Sequence, residues 1–142
     1  MKLNLGVHNV AYSDPDVEGA TTTGQVAKIL EVKYNVMEVF FEAHQHEIDQ
    51  QIVKHLMGII ESIGAGSPGT IQNNTRIGKI ESGFRDFLNA DEWQGITGRV
   101  IKAARKGVNH RLKHPYATAN PPRPAFIDTG LYMRSFRAWL SK

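Results

Sequence analysis

The triplet Asp128-Thr129-Gly130 contains the one carboxylate of residues 93–142 in a chain of 142 residues. An aspartate in this setting is the catalytic group of aspartic proteases, where two carboxylates at close range share a proton because they cannot both ionise. Phe126 and Ile127 supply the apolar residues that precede the triplet in those enzymes. Leu131, however, stands where they carry Ala or Ser, and the surroundings read as helical rather than strand-rich. A dimer would also be needed to bring in the second Asp128. Read as local structure, the same letters explain more. Asp128 or Thr129 accepts the first free amides of a helix, Gly130 permits a close approach, and Leu131, Ser135 and Phe136 follow about a turn apart. Phe136-Arg137-Ala138-Trp139-Leu140 then suits a terminal strand.

Metal chemistry would have to come from "AHQHEIDQQIVKH", which gathers His44, His46, Glu47, Asp49 and His55. A zinc-protease helix needs two His four residues apart with Glu directly after the first. Here His46-Glu47 is followed by Gln50 at the position of the second His. At about 100° per residue, His44 and His46 point some 200° apart on a helix and cannot share an ion from one face. Solvated or interfacial histidines are expected, with no metal and no other cofactor. The glycines of "GAGSPGT" lack the Gly-Lys-Ser/Thr ending of a phosphate-cradling loop, so nucleotide binding is not expected either.

Charge is the third source of chemistry. The net charge of +3 conceals two unlike ends: residues 1–92 hold seven Lys/Arg against thirteen Asp/Glu, residues 93–142 ten against one. Between 93 and 127 no carboxylate occurs, while Arg99, Lys102, Arg105, Lys106, Arg111, Lys113 and Arg123 do. Ordinary exposed helices mix both signs, so this run points to a polyanion or to an acidic surface on another subunit. Contact with phosphates would be salt-dependent and without sequence preference, because no fingerprint of a sequence-reading module is present.

The elements that must position these residues follow from pattern. Leu3, Leu5 and Val7 alternate with polar residues as in a short strand, and turn formers follow in "SDPDVEGA". In "TTTGQ", Thr22 and Gln25 form a capping box. Apolar residues then recur at helical spacing from Val26 to Ile63, with Asn35 as a break where a left-handed residue ends one helix. "GAGSPGTIQNNT" reads as a loop. Ile77, Ile80, Phe84, Phe87 and Leu88 mark a second amphipathic helix, a turn is expected over 95–98, and Thr97 could cap a basic helix beyond it. Four prolines in "HPYATANPPRPAF" give an extended arm. The absence of cysteine excludes disulfides and thiolate zinc sites. With no apolar run of about 18 residues and no signal-peptide pattern, a soluble protein made in the cytoplasm is expected, with no membrane contact.

At its C-terminal box the chain resembles the small neck proteins of tailed bacteriophages, known as head-tail joining, head-completion or tail-completion proteins. Many of them end with Pro, two or three residues, Asp-Thr-Gly, an apolar residue and Ser, followed by a strand. The pattern here is Pro124-Ala125-Phe126-Ile127-Asp128-Thr129-Gly130-Leu131, with Ser135 four residues on. The run from "GVNHRLKHPY" to "SFRAWL" and the opening "TTTGQVAKILEVKYNVMEVF" also look like phage structural proteins.

The resemblance implies a virion structural protein without enzymatic activity, a ring in the neck that connects the DNA-filled head to the tail. Its partners would be copies of itself in a multiple of six, portal or adaptor proteins, and a tail terminator or tail tube. Together the readings give a single α+β domain, with long N-terminal helices packed on a small sheet and extended ends. Residues 1–21 are a strand and loop, 22–113 a mainly helical body, 114–127 a proline-rich arm, and 128–142 a segment that docks on a neighbour. Pro124, Phe126, Asp128, Thr129, Gly130, Leu131, Ser135, Phe136 and Trp139 make up the expected docking box. Arg99, Lys102, Arg105, Lys106, Arg111 and Lys113 are expected to face DNA or an acidic partner. A free, non-specific nucleic-acid-binding protein is the alternative, and a dimeric aspartic protease using Asp128 a more distant one.

Overall fold

Leu3, Leu5 and Val7 need a covered sheet face, and the chain supplies it from its other end. In a computed structural model, which describes residues 1–12, 19–67, 75–99, 126–127 and 130–141, strand β1 (Lys2–Val7) pairs antiparallel with strand β3 (Phe136–Ser141) along its whole length, from Lys2 opposite Ser141 to Val7 opposite Phe136. A two-residue strand, β2 (Thr75–Arg76), pairs with the other edge of β3, giving the order β1-β3-β2. Six helices complete the described residues: α1 (Thr23–Tyr34), α2 (Val36–Ala43), α3 (Gln45–Gly64), α4 (Gly78–Asn89), α5 (Glu92–Thr97) and α6 (Leu131–Ser135). The α+β class expected from the sequence is the class observed. No described helix is long and apolar enough to cross a membrane.

The helix boundaries follow local chemistry. The Thr22 hydroxyl accepts from the Gln25 amide, and the Gln25 carboxamide accepts from the Thr22 amide, so the predicted capping box opens α1. Thr23, fully buried, locks this start to the exit of β1: its hydroxyl donates to the His8 carbonyl at 2.7 Å and accepts from the Val10 amide at 2.8 Å. Asn35 adopts the left-handed conformation (φ 50°), closing α1 and opening α2. The bend is held from behind, because the Glu31 carboxylate accepts the Met37 and Glu38 amides that the start of α2 would otherwise leave orphaned. A second break at His44, which the sequence pattern does not signal, separates α2 from α3.

The core lies between the helices and one face of the sheet. Phe136, Ala138 and Leu140 of β3 are buried, whereas Arg137, Trp139 and Ser141 on the alternate face are only partly covered. From α4, Ile80, Phe84, Phe87 and Leu88 point into the core as one stripe. Phe84 stacks on Phe136 with ring centres 3.9 Å apart, and the Phe40 edge meets Phe84 at 5.2 Å.

Glu81 settles how the sheet ends. β2 turns into α4 at Ile77, whose amide still donates to the Ala138 carbonyl while its own carbonyl serves the first turn of α4. The Ala138 amide therefore lacks a strand partner and donates to the Glu81 carboxylate at 3.4 Å. Glu81, 2% exposed, also accepts two bonds from the Arg76 guanidinium, at 3.0 and 2.6 Å. Burial pushes its pKa up, but the hydrogen bonds from Arg76 and Ala138 and the charges of Arg76 and Arg137 outweigh it, leaving the carboxyl below its ordinary value of 4.5.

Two sequence expectations are corrected. Gly95 lies inside α5 rather than in a turn over 95–98, and Gly98 (φ 66°) is the residue that ends the helix. The Thr97 hydroxyl donates to the Trp93 carbonyl at 2.7 Å and accepts from the Arg99 amide at 3.3 Å, and the helix it is expected to cap lies outside the described residues. Thr75, expected in a loop, is a strand residue, and the two-residue β2 is too short to show an alternation.

A depressed folded pKa means that Glu81 stabilises the fold in full above its unfolded pKa, and that the contribution is lost as pH falls through the folded value. Glu81→Gln should lower unfolding stability by about 1–3 kcal/mol near neutral pH, the cost of a weakened buried charged hydrogen bond. In urea titrations the gap between variant and wild type should narrow in acid; an equal gap at all pH would show that the charge contributes nothing.

Candidate assembly site

The C-terminal box starts at an aromatic cluster. Phe126, in the left-handed region at φ 66°, sets its ring 5.0 Å from Trp93 and 5.3 Å from Tyr34. Trp93 is buried, and its indole N–H donates to the Tyr34 carbonyl at 3.0 Å, fixing α5 against the end of α1. The Arg99 guanidinium rests over the same two rings, 5.4 Å from Tyr34 and 5.3 Å from Trp93, and donates to the Lys33 carbonyl at 3.4 Å. Arg99 and Phe126, which flank residues 100–125, thus meet on one pair of rings.

Of the expected cationic row, Arg99 is exposed but has its guanidinium on the rings; Lys102, Arg105, Lys106, Arg111, Lys113 and Arg123 lie outside the described residues. Pro124, Asp128 and Thr129 of the box lie outside them as well. Gly130 (φ 77°) takes the N-cap position of α6, a conformation that glycine adopts without strain. Tyr132 and Ser135 are buried, and the Ser135 carbonyl accepts the His8 amide at 2.7 Å. The Tyr132 hydroxyl has no hydrogen-bond partner among the described residues. Burial, with the Glu31 carboxylate and Tyr12 nearby, pushes its pKa far above the usual tyrosine range.

The segment expected to dock on a neighbour is therefore engaged within its own subunit. Phe136 is wholly buried, and β3 is the middle strand, paired on both edges. Trp139, partly exposed like Phe126, Gly130 and Leu131, sits between Asn4 and Arg76 in register, with its ring so close over Gly6 that a Cβ there would lie 3.1 Å from it. Lys2, Arg76 and Arg137 share or border this open sheet face. The sequence does not single out Arg76, Lys2 or Tyr34, because their roles depend on partners far along the chain.

His44 stands at the break between α2 and α3, and His46 within α3. His44 packs on Phe40 and Phe87 and faces Glu92, with Nε2 to Oε2 at 3.0 Å, whereas exposed His46 pairs with Gln50. His46 borders a shallow open groove with Glu42, Ala43, Gln45 and Asp49. Among the described residues no three His, Asp or Glu side chains stand so as to hold a metal ion.

Compared with protein-family models, with curated proteins and with solved structures, the chain finds no match.

Arg99→Ala should destabilise the fold by about 1 kcal/mol through loss of its contact with two rings, and should shift the Trp93 fluorescence maximum. Trp93→Ala should cost about 3–5 kcal/mol, the range for truncating a buried aromatic. Thermal unfolding followed by tryptophan emission checks both; an Arg99→Ala protein identical to wild type in midpoint and emission would show that the guanidinium does not occupy the rings.

Proposed function

We propose that this chain is a structural subunit of the neck of a tailed phage, forming a ring around the DNA channel between the filled head and the tail, and that it performs no catalysis. The observation that carries the reading is the box from Pro124 to Leu131 with Ser135, which runs into a terminal strand as it does in the neck proteins it resembles. Supporting it is the unequal charge of the two halves, which suits copies packed side by side, the acidic surface of one against the basic surface of the next. In a ring one such contact repeats until the circle closes. The cations from Lys102 to Lys113, whose proposed partner is DNA or an acidic neighbour, stand in sequence between Arg99 and Phe126, which both rest against Tyr34.

The carboxylate-free run over 93–127 favours one second reading, a protein that binds nucleic acid by itself. Tight, salt-dependent binding of duplex DNA by the monomer at physiological salt would mark that case.

The test is quantitative mass spectrometry of virions purified from the phage or prophage that encodes the chain. The expected result is a fixed stoichiometry, a multiple of six copies per portal ring. Absence from finished virions, or traces only, would overturn the proposal.

A further inference from the structure

Helix α3 is apolar on two sides. Ile48, Ile52, Leu56 and Ile59 turn toward the body, with Ile48 buried and Ile52 packed on the core. Val53, Met57 and Ile60, spaced i, i+4, i+7, form a second stripe about 140° round the helix from Ile48. These three are 57%, 53% and 63% exposed. A helix that is apolar all round belongs between two neighbours. Helix α1 has a smaller counterpart, with Ile29 and Val32, one turn apart, 60% and 81% exposed. Isolated exposed aliphatics are ordinary; two aligned stripes on separate helices are less so.

We infer that the Val53-Met57-Ile60 stripe of α3 seats on the Ile29-Val32 pair of α1 of a second copy of this chain. Charge selects this occupant. The α3 stripe is flanked by exposed Asp49 and Glu61, and one further carboxylate, Glu47, opens the helix against a single lysine, Lys54. The exposed face of α1 carries Lys28 and Lys33, and the carboxylate of that helix, Glu31, is engaged with the amides of α2. An acid-flanked stripe thus meets a lysine-flanked one. Pairing α3 with α3 in parallel would instead set Asp49 and Glu61 against their own kind, an antiparallel pair would bring no second cationic flank to Asp49, and an anionic membrane would repel the carboxylates. Among the described residues, α1 rests chiefly on β1, α2 and α6, and α3 chiefly on α2 and α4, while both stripes stay more than half exposed. A contact between two different surfaces is heterologous and propagates into a ring or an open chain. It rests on the proposed function only in taking a second copy as occupant, and it can hold or fail in purified protein whatever virions contain.

Because the chain has no cysteine, single cysteines report the contact directly. Val32→Cys and Met57→Cys proteins, made separately in the full chain, are mixed under mild oxidation, with Lys79→Cys, at an exposed position of α4, as the control partner. The expected product is the mixed Val32–Met57 disulfide in excess over either symmetric dimer and over any product with the control. In sedimentation, Met57→Asp with Ile60→Asp should raise the dissociation constant by about tenfold or more. Its far-ultraviolet circular dichroism should match wild type, since both positions are exposed. A symmetric Met57–Met57 product, cross-linking no better than the control, a wild-type protein that stays monomeric at every concentration, or undiminished association of the double variant would each overturn the inference.

Discussion

The burial of Phe136, Ala138 and Leu140 depends on β3 being paired along both of its edges, and almost everything else in the subunit is arranged around that strand. One edge takes the whole of β1, so that Lys2 comes to lie opposite Ser141 across nearly the full length of the chain. The other takes two residues of β2 and then, where β2 departs into α4, the carboxylate of Glu81. Phe84 and Phe40 close over Phe136 from the helical side. The helices can form locally, but the layer they cover is complete only when the last residues have entered it. The pairing of β1 with β3 is distant in sequence, which slows folding relative to a helical bundle of the same size.

How much of this is legible in the sequence depends on the range of the interaction. The capping box of Thr22 and Gln25, the left-handed break at Asn35 and the stripe from Ile80 to Leu88 are written within a few residues, and each is found where its pattern predicts. The alternation of Leu3, Leu5 and Val7 announces a strand, but not that its partner lies at the other end of the chain. β2 is too short to have a period. Glu81 reads as one of several carboxylates on an amphipathic helix; its buried role requires Arg76 and the amide of Ala138, and only the fold brings these together. The box around Gly130 illustrates the same limit. Its helix turn and its strand are both present, yet Phe136 faces inward, because an apolar strand with two available edges is buried more completely inside its own sheet than on a neighbour.

Function follows a similar division. With β3 committed to the subunit's interior, the surfaces that the described residues offer to the proposed assembly include the exposed stripes of α1 and α3 and the open sheet face with Trp139. In the proposed assembly the C-terminal strand holds each subunit together while the helical surfaces hold subunits to each other.

Hydrogen exchange on dilute, monomeric protein and on concentrated, associated protein tests that division most directly. The account predicts that the amides of β3 and β1 exchange slowly in both, with protection near the global unfolding free energy, and that the amides gaining protection on association belong to α1 and α3. Fast exchange along β3 in the monomer, slowed only when subunits associate, would show that the strand is a docking tail after all and would contradict the account.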